Sequence, residues 1–287
     1  MTRRFYVAKR LNRSGGGTVT VFFVLAIFGA FMATPMIYTI VQAFKPLEEI
    51  FIFPPRLYVV NPTLRNFQLM GQLANSLWVP FSRYVFNSIF VALTATAGNV
   101  VLASMAAYPL AKHNFPGRKL LFKMVTISLL FHGGVMGLAQ YIIMAELGMI
   151  DTYWALILPS TASTLGLFLM RQFMTQIQDS MLEASRIDGA NEMQIFARIV
   201  MPMVKPAWMT QILFAFQAIW GMTGANIIFT ENLKLFPTVL NQIAAGGIAR
   251  SGVGSAASLI LILPPVVVFL VTQSKIMETM AHSGIKE

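Results

Sequence analysis

Six stretches of this chain, each about 19 residues or longer, contain no Asp, Glu, Lys or Arg: Thr18–Phe44, Tyr84–Ala111, Met124–Ala145, Thr152–Met170, Pro206–Thr230 and Ser251–Ser274. Each is long enough to cross a hydrocarbon core of roughly 30 Å at 1.5 Å per residue. Inside a bilayer every backbone polar group needs an internal partner, so a crossing segment must be a helix or part of a closed barrel. The runs are continuously apolar and do not alternate with period two, which selects helices. Pro35, Pro109 and Pro264-Pro265 fall within or at the ends of runs, where they kink helices and are tolerated if neighbours satisfy the freed backbone. The expected fold class is therefore an all-α polytopic membrane protein with six transmembrane helices.

Charge placement gives the orientation. The net charge of +10 could suggest nucleic acid, but basic residues gather in the cytoplasmic loops of membrane proteins. With the N-terminus inside, only Lys45, Arg56, Arg65, Arg83, Lys234 and Arg250 lie outside, and the other fifteen of the 21 basic residues lie in cytoplasmic segments. That predicts an N-in/C-in arrangement, and nucleic-acid binding carries no further weight. Residues 1–17 read as a basic cytoplasmic tail, because the apolar run after them is too long for a signal peptide. Residues 18–287 form one transmembrane domain, and the lipid bilayer is its first partner. The absence of cysteine excludes disulfides, thiolate metal sites and a cysteine nucleophile, and no metal site is expected.

The longest cytoplasmic interruption is residues 171–205. Ser180-x-x-Glu183 has the form of a capping box, predicting a helix over Met181–Asp188. Gly189 suits the left-handed position that ends a helix. Asn191 can cap a second helix running to Val200, and Pro202 and Pro206 turn the chain back to the membrane. Ile187, Met193, Ile195, Phe196, Ile199 and Val200 give this unit an apolar side. It is either a connector resting on the protein's own helices or a lever that docks into a partner.

Glu183-Ala-Ser-Arg-Ile-Asp-Gly189, followed after a short helix by Ile199-Val-Met-Pro202, resembles the EAA motif of ABC importer permeases. Ala106-Ala-Tyr-Pro-Leu-Ala-Lys-His-Asn-Phe-Pro-Gly-Arg118, Asp151-Thr-Tyr-Trp-Ala-Leu-Ile-Leu-Pro159 and Ile187–Phe196 extend the likeness. Together these stretches are similar to the second permease subunit of carbohydrate-type, maltose-permease-like importers. The chain departs from that pattern in Ser185 for the second Ala, Asp179 before the helix, Trp220-Gly221, and Phe131–Gly137.

The resemblance implies a type I ABC importer permease fold and a transport subunit that is not an enzyme. It implies partners: a related second permease forming a heterodimer, an ATP-binding cassette ATPase dimer, and an extracytoplasmic solute-binding protein. No Gly-x-x-x-x-Gly-Lys-Ser/Thr motif exists here, so ATP and Mg would be held by the ATPase chain and no cofactor by this one. The implied setting is a bacterial cytoplasmic membrane. Glu183, Ala184, Ser185, Arg186, Asp188, Gly189 and Pro202 would couple to the ATPase: Glu183 pairs with a basic group, Ala184 and Ser185 permit close approach, and Gly189 permits the turn. Arg186 and Asp188 are read equally as further contacts or as members of an internal salt bridge. The outer loop Glu231–Arg250 would reach the binding protein.

Polar groups in spans are costly and often functional. Gln140, Phe216, Gln217, Trp220, Thr223 and Asn226 are the substrate-path candidates, since sugars stack on aromatic faces among polar groups. Asn99, His132 and Gln211 are also polar in-span groups; hydrogen bonding between helices is the competing reading for all of them. A secondary transporter would usually carry an acidic group in a span, and the six runs have none. A membrane enzyme would need a clustered catalytic set such as His-Glu-x-x-His, which is absent. The substrate expected is a carbohydrate, with an oligosaccharide favoured; amino acids or peptides are the alternative within the same class.

Overall fold

The computed structural model describes residues 15–130 and 133–283. His132 and residues 1–14 of the basic tail lie outside them. Every regular element among the described residues is helical.

A 30-residue helix α1 (Gly15–Phe44) leads into a short turn α2 (Leu47–Ile50) and an amphipathic helix α3 (Arg65–Asn75). Lys45 is buried here and donates to the Arg56 carbonyl at 2.5 Å, while Glu49 accepts from the Val60 amide at 2.8 Å. The central helix α4 (Phe81–Lys112) spans 32 residues and buries one side along its whole length. Next come α5 (Arg118–Ser128), α6 (Gly133–Glu146), α7 (Trp154–Thr161) and α8 (Thr164–Thr175). The segment over residues 171–205 holds α9 (Asp179–Ile187), α10 (Glu192–Ile195) with a π-helical turn over Phe196–Val200, and α11 (Met201–Met203). The chain closes with α12 (Lys205–Trp220), α13 (Phe236–Ala244) and α14 (Ser251–Ser283).

Three of these helices are long and apolar enough to cross a bilayer, within Gly16–Phe44, Phe81–Lys112 and Ser251–Gln273. The expected third and fourth spans are each met as two shorter helices, α5 with α6 and α7 with α8. The fourth run breaks at Ala162, whose extended backbone follows Pro159, and Ser163 restarts the helix by accepting from the Gly166 amide at 2.9 Å. A broken helix at membrane depth survives only if neighbours take up its freed groups. Asn99 of α4 does so, donating to the Ser160 carbonyl at 2.8 Å, and Gln211 of α12 donates to Asn99 Oδ1 at 2.7 Å. Asn99 and Gln211 are thus helix-to-helix hydrogen bonders.

The fifth run also differs from its expected extent, because α12 stops at Trp220. Gly224 takes φ +64°, and Asp151, itself at φ +61°, gathers the Phe229 and Thr230 amides at 2.8 and 2.9 Å. Residues 221–230 therefore form a folded-back loop. The stretch after it, expected as an outer loop, holds the nine-residue helix α13, whose Phe236, Val239, Leu240 and Ile243 are buried.

Two cores result. One, at the far end from α9 and α10, joins α3, α4, α7, α12, α13 and α14 around Tyr84, Leu156, Trp220 and Leu240. The other, at the loop end, joins α4, α8, α9, α10 and α12 around Tyr108, Met170, Leu182, Ile195 and Val204. Asn87 and Ser88 tie α4 to the far end: Asn87 donates to the Asn232 and Lys234 carbonyls, and Ser88 accepts from the Phe236 amide at 2.7 Å.

Candidate functional site

The loop end presents α9 and α10 on its surface, and local chemistry fixes their shape. Lys112, at the end of α4, bridges Asp179 at 2.7 Å and also donates to the Ile177 carbonyl. That fixes the entrance of α9 at Asp179, where an acidic side chain also suits the helix dipole. Ser180 is consequently inside the helix, and the Ser180–Glu183 capping box expected from the sequence does not form. Leu182, 1% exposed, anchors α9 in the loop-end core.

The C-terminus of α9 is a Schellman motif. Gly189 sits at φ +83°, its amide donates to the Arg186 carbonyl at 3.0 Å, and the Ala190 amide donates to Ser185 at 3.0 Å. Only glycine takes that backbone without steric cost. Two residues on, Asn191 and Gln194 form a reciprocal capping box, Asn191 Oδ1 accepting at 2.9 Å and Gln194 Oε1 accepting at 3.0 Å. The helix–turn–helix expected over Met181–Val200 is thus present, with its first helix starting at Asp179 without a side-chain cap.

Glu192 holds this unit to the bundle. It accepts from Arg186 Nε at 2.9 Å and from the Tyr108 hydroxyl at 2.8 Å, and lies 3.3 Å from His113 Nε2. The Arg186 hydrogen bond, then that of Tyr108, outweighs desolvation and holds the Glu192 carboxyl below its ordinary range; Lys112 does the same for Asp179, mainly by its hydrogen bond. Arg186 is therefore a member of an internal salt bridge, with Glu192, while Asp188 makes no ion pair among the described residues. Glu192 and Tyr108 were not among the site residues singled out by sequence, and Asp179 was marked only as a departure from the family pattern. Their pairing spans 84 and 67 positions, so no local spacing announces it.

The apolar side of the unit divides in two. Ile195 and Val200 are buried, and Phe196 and Ile199 are half-buried against the bundle. Ile187 and Met193 face out, 86% and 62% exposed. Glu183, Ala184, Asp188, Gly189 and Pro202 are exposed with them, and Ser185 is partly covered. The surface offered is small, flanked by acid, and rigidly backed.

Behind it the chain turns sharply. Pro202 lacks the amide that would continue an α-helix and its ring would clash one turn back. The preceding turn accommodates this as a π-helix, with the Met201 amide reaching the Phe196 carbonyl. At Val204 the helices meet at 78°. Trp208 Nε1 donates to the Met201 carbonyl at 3.0 Å across the elbow. This joint is the link between the α9–α10 unit and α12.

The substrate-path candidates fall into separate places. Gln217 and Trp220 line a cavity of about 870 Å³ with Met36, Asn241, Leu261 and Phe269. Phe216, 7% exposed, stacks against Trp220 at 5.8 Å in the far-end core. Trp220 itself is 5% exposed and donates to the Leu261 carbonyl at 3.0 Å. Gln140, Thr223 and Asn226 line a second cavity, of about 240 Å³, between the folded-back loop and α7.

Residues 15–276 match the family described as the inner membrane component of binding-protein-dependent transport systems. The chain is 31% identical over 246 residues, 83% of its length and 87% of the relative's, to the sn-glycerol-3-phosphate transport system permease protein UgpE of Escherichia coli. It is 29% identical over 239 residues, 80% of its length and 81% of the relative's, to the polygalacturonan/rhamnogalacturonan transport system permease protein YtcP of Bacillus subtilis. Among solved structures, a bacterial ABC transporter involved in import of the acidic polysaccharide alginate matches with TM-score 0.75 at 20% identity, covering 92% of this chain and 99% of that one. The fold and the loop-end lever define a permease of the ABC importer class. The chain belongs to the binding-protein-dependent transport system inner membrane component family.

Proposed function

We propose that this chain is one permease half of an ATP-driven, binding-protein-dependent importer of a carbohydrate, most simply an oligosaccharide. The observation that carries the coupling assignment is the outward face of α9. Glu183, Ile187 and Asp188 project from a helix that Gly189 ends, Leu182 anchors, and Glu192 and Asp179 pin to α4. That face seats in a cleft of a separate ATPase chain, which holds ATP and Mg. The elbow at Val204 relays ATPase closure to α12. The chain crosses a bacterial cytoplasmic membrane six times, N-in/C-in, with α7 and α8 together making one crossing. Eight and twelve residues at 1.5 Å each give about 30 Å, the thickness of the hydrocarbon core. A related second permease completes the path, and a solute-binding protein delivers the sugar from outside. The carbohydrate class follows the polysaccharide cargo for which YtcP and the alginate transporter are named, together with the resemblance around Ile187–Phe196.

The test is reconstitution of the complete transporter with Glu183→Lys and, separately, Gly189→Pro. Both are expected to assemble and hydrolyse ATP while uptake driven by the binding protein is lost. Uptake at the normal rate in either variant would overturn the docking assignment. Identifying the ligand on the co-purifying binding protein tests the cargo class, and a bound amino acid or peptide would replace it.

A further inference from the structure

At the loop end, beside the lever and separate from it, a cavity of about 820 Å³ opens between the 113–117 turn, α5 and the end of α8. Four cations line it: Arg118, Lys119, Lys123 and Arg171, with no carboxylate among the lining residues. Two of them are forced together, since Arg118 Nε and Arg171 Nε donate to the same Leu110 carbonyl, at 3.0 and 3.2 Å. Arg118 is fixed further by Asn114 and the Ala111 carbonyl, and the Arg171 guanidinium lies 3.6 Å over the Phe122 ring. None of the four makes an ion pair among the described residues; Asp179, which acts on Arg118 only at longer range, is bonded to Lys112. Like charges held this close disfavour one another unless an anion joins them.

The surroundings say which anion. Helix α5 buries none of its residues, and Leu120, Leu121 and Met124 on it are exposed. Arg118, Lys119 and Lys123 stand in the first two turns of this exposed helix beside Leu120, Leu121 and Met124, so charge and apolar side chains meet at one level, as they do at a membrane interface. Basic pockets at the cytoplasmic edge of transmembrane helices recognise anionic headgroups. We propose that this cavity binds the phosphate of an anionic phospholipid, with the acyl chains lying along α5. This rests on the reading that the loop end is cytoplasmic.

The test uses the whole transporter purified in detergent, with phosphatidylglycerol retention read by native mass spectrometry. The variant is Lys119→Gln/Lys123→Gln, both exposed positions that leave Arg118, Arg171 and the lever untouched. At about 1 kcal/mol per basic residue near the surface, the pair should lower phosphatidylglycerol affinity about thirty-fold. Phosphatidylcholine should bind weakly to both proteins, and millimolar inorganic phosphate should not displace the lipid. Equal retention by variant and wild type, equal retention of phosphatidylcholine, or displacement by inorganic phosphate would each overturn the site. The topology reading is checked apart from this by Pro116→Cys, labelled with an impermeant maleimide from one side of the membrane. Labelling from outside would remove the cytoplasmic assignment whatever lipid is retained.

Discussion

Glu192 is the residue on which the lever's position depends. Its carboxylate takes three neighbours from two elements: Arg186 from α9, and Tyr108 and His113 from the end of α4. Its pKa is depressed, chiefly by the Arg186 hydrogen bond, from an ordinary value of 4.5. A depressed acid stabilises the folded arrangement fully above its ordinary value and loses that contribution as pH falls through the lower folded value. A spin label at Asp188→Cys should therefore keep constant mobility from neutral pH down to that ordinary value and loosen below it. Glu192→Gln should be loose at every pH, and a Glu192→Gln lever as immobile as wild type would show that other contacts hold it. Gly166 is the second informative residue. A Cβ there would lie 2.2 Å from Gln211 Nε2 and 2.7 Å from its Cδ. Gly166→Ala should push Gln211 off Asn99 and cost about 1–3 kcal/mol for the group left unpaired, read as a lower Tm of the purified complex. In a Gln211→Ala background the same change should cost much less, since the two sites share one contact.

Elements show how much sequence alone can carry. The turn at Gly189 and the cap at Asn191 were legible because each is set by residues within four positions of it, and both formed where expected. The Ser180 cap did not, because Lys112, 67 positions from Asp179, fixes the helix entrance two residues earlier. The continuous run Thr152–Met170 hid the break between α7 and α8. Apolar composition reports burial in lipid, not helix continuity, and the amide that caps the freed Ser160 carbonyl sits on α4. In the same way the mildly apolar stretch after Glu231 concealed α13, whose hydrophobic face is filled by α4, α3 and α14. The elbow is an element-scale device with its own test. Trp208→Phe keeps the ring but removes the donor to the Met201 carbonyl. It should lower stability by about 1 kcal/mol and lower the uptake obtained per ATP hydrolysed. Unchanged coupling would mean that the helix junction is stiff without the indole.

At the scale of the molecule the proposed path is one-sided. The cavity holding Gln217, Trp220 and Asn241 is walled by α1, α12, α13 and α14, while long faces of α1 and α4 remain apolar and uncovered. A sugar moving through it needs a second wall, which the related permease would supply. Trp220 is a poor probe of that path, because it is 5% exposed and braced by Phe216, Phe236 and the Leu261 carbonyl. Truncating it would remove core packing worth about 3–5 kcal/mol and confuse folding with recognition. Gln217 is exposed on the same cavity and its side chain makes no hydrogen bond among the described residues, so Gln217→Ala should leave Tm unchanged. Loss of one or two hydrogen bonds to a sugar hydroxyl should then lower uptake about tenfold, with basal ATP hydrolysis intact. The matching change Asn226→Ala, in the separate cavity beside Gln140 and Thr223, divides the alternatives. Loss of uptake in Gln217→Ala alone would place the path between α12 and α14, loss in Asn226→Ala alone would move it beside the folded-back loop, and no loss in either would remove both cavities from the path.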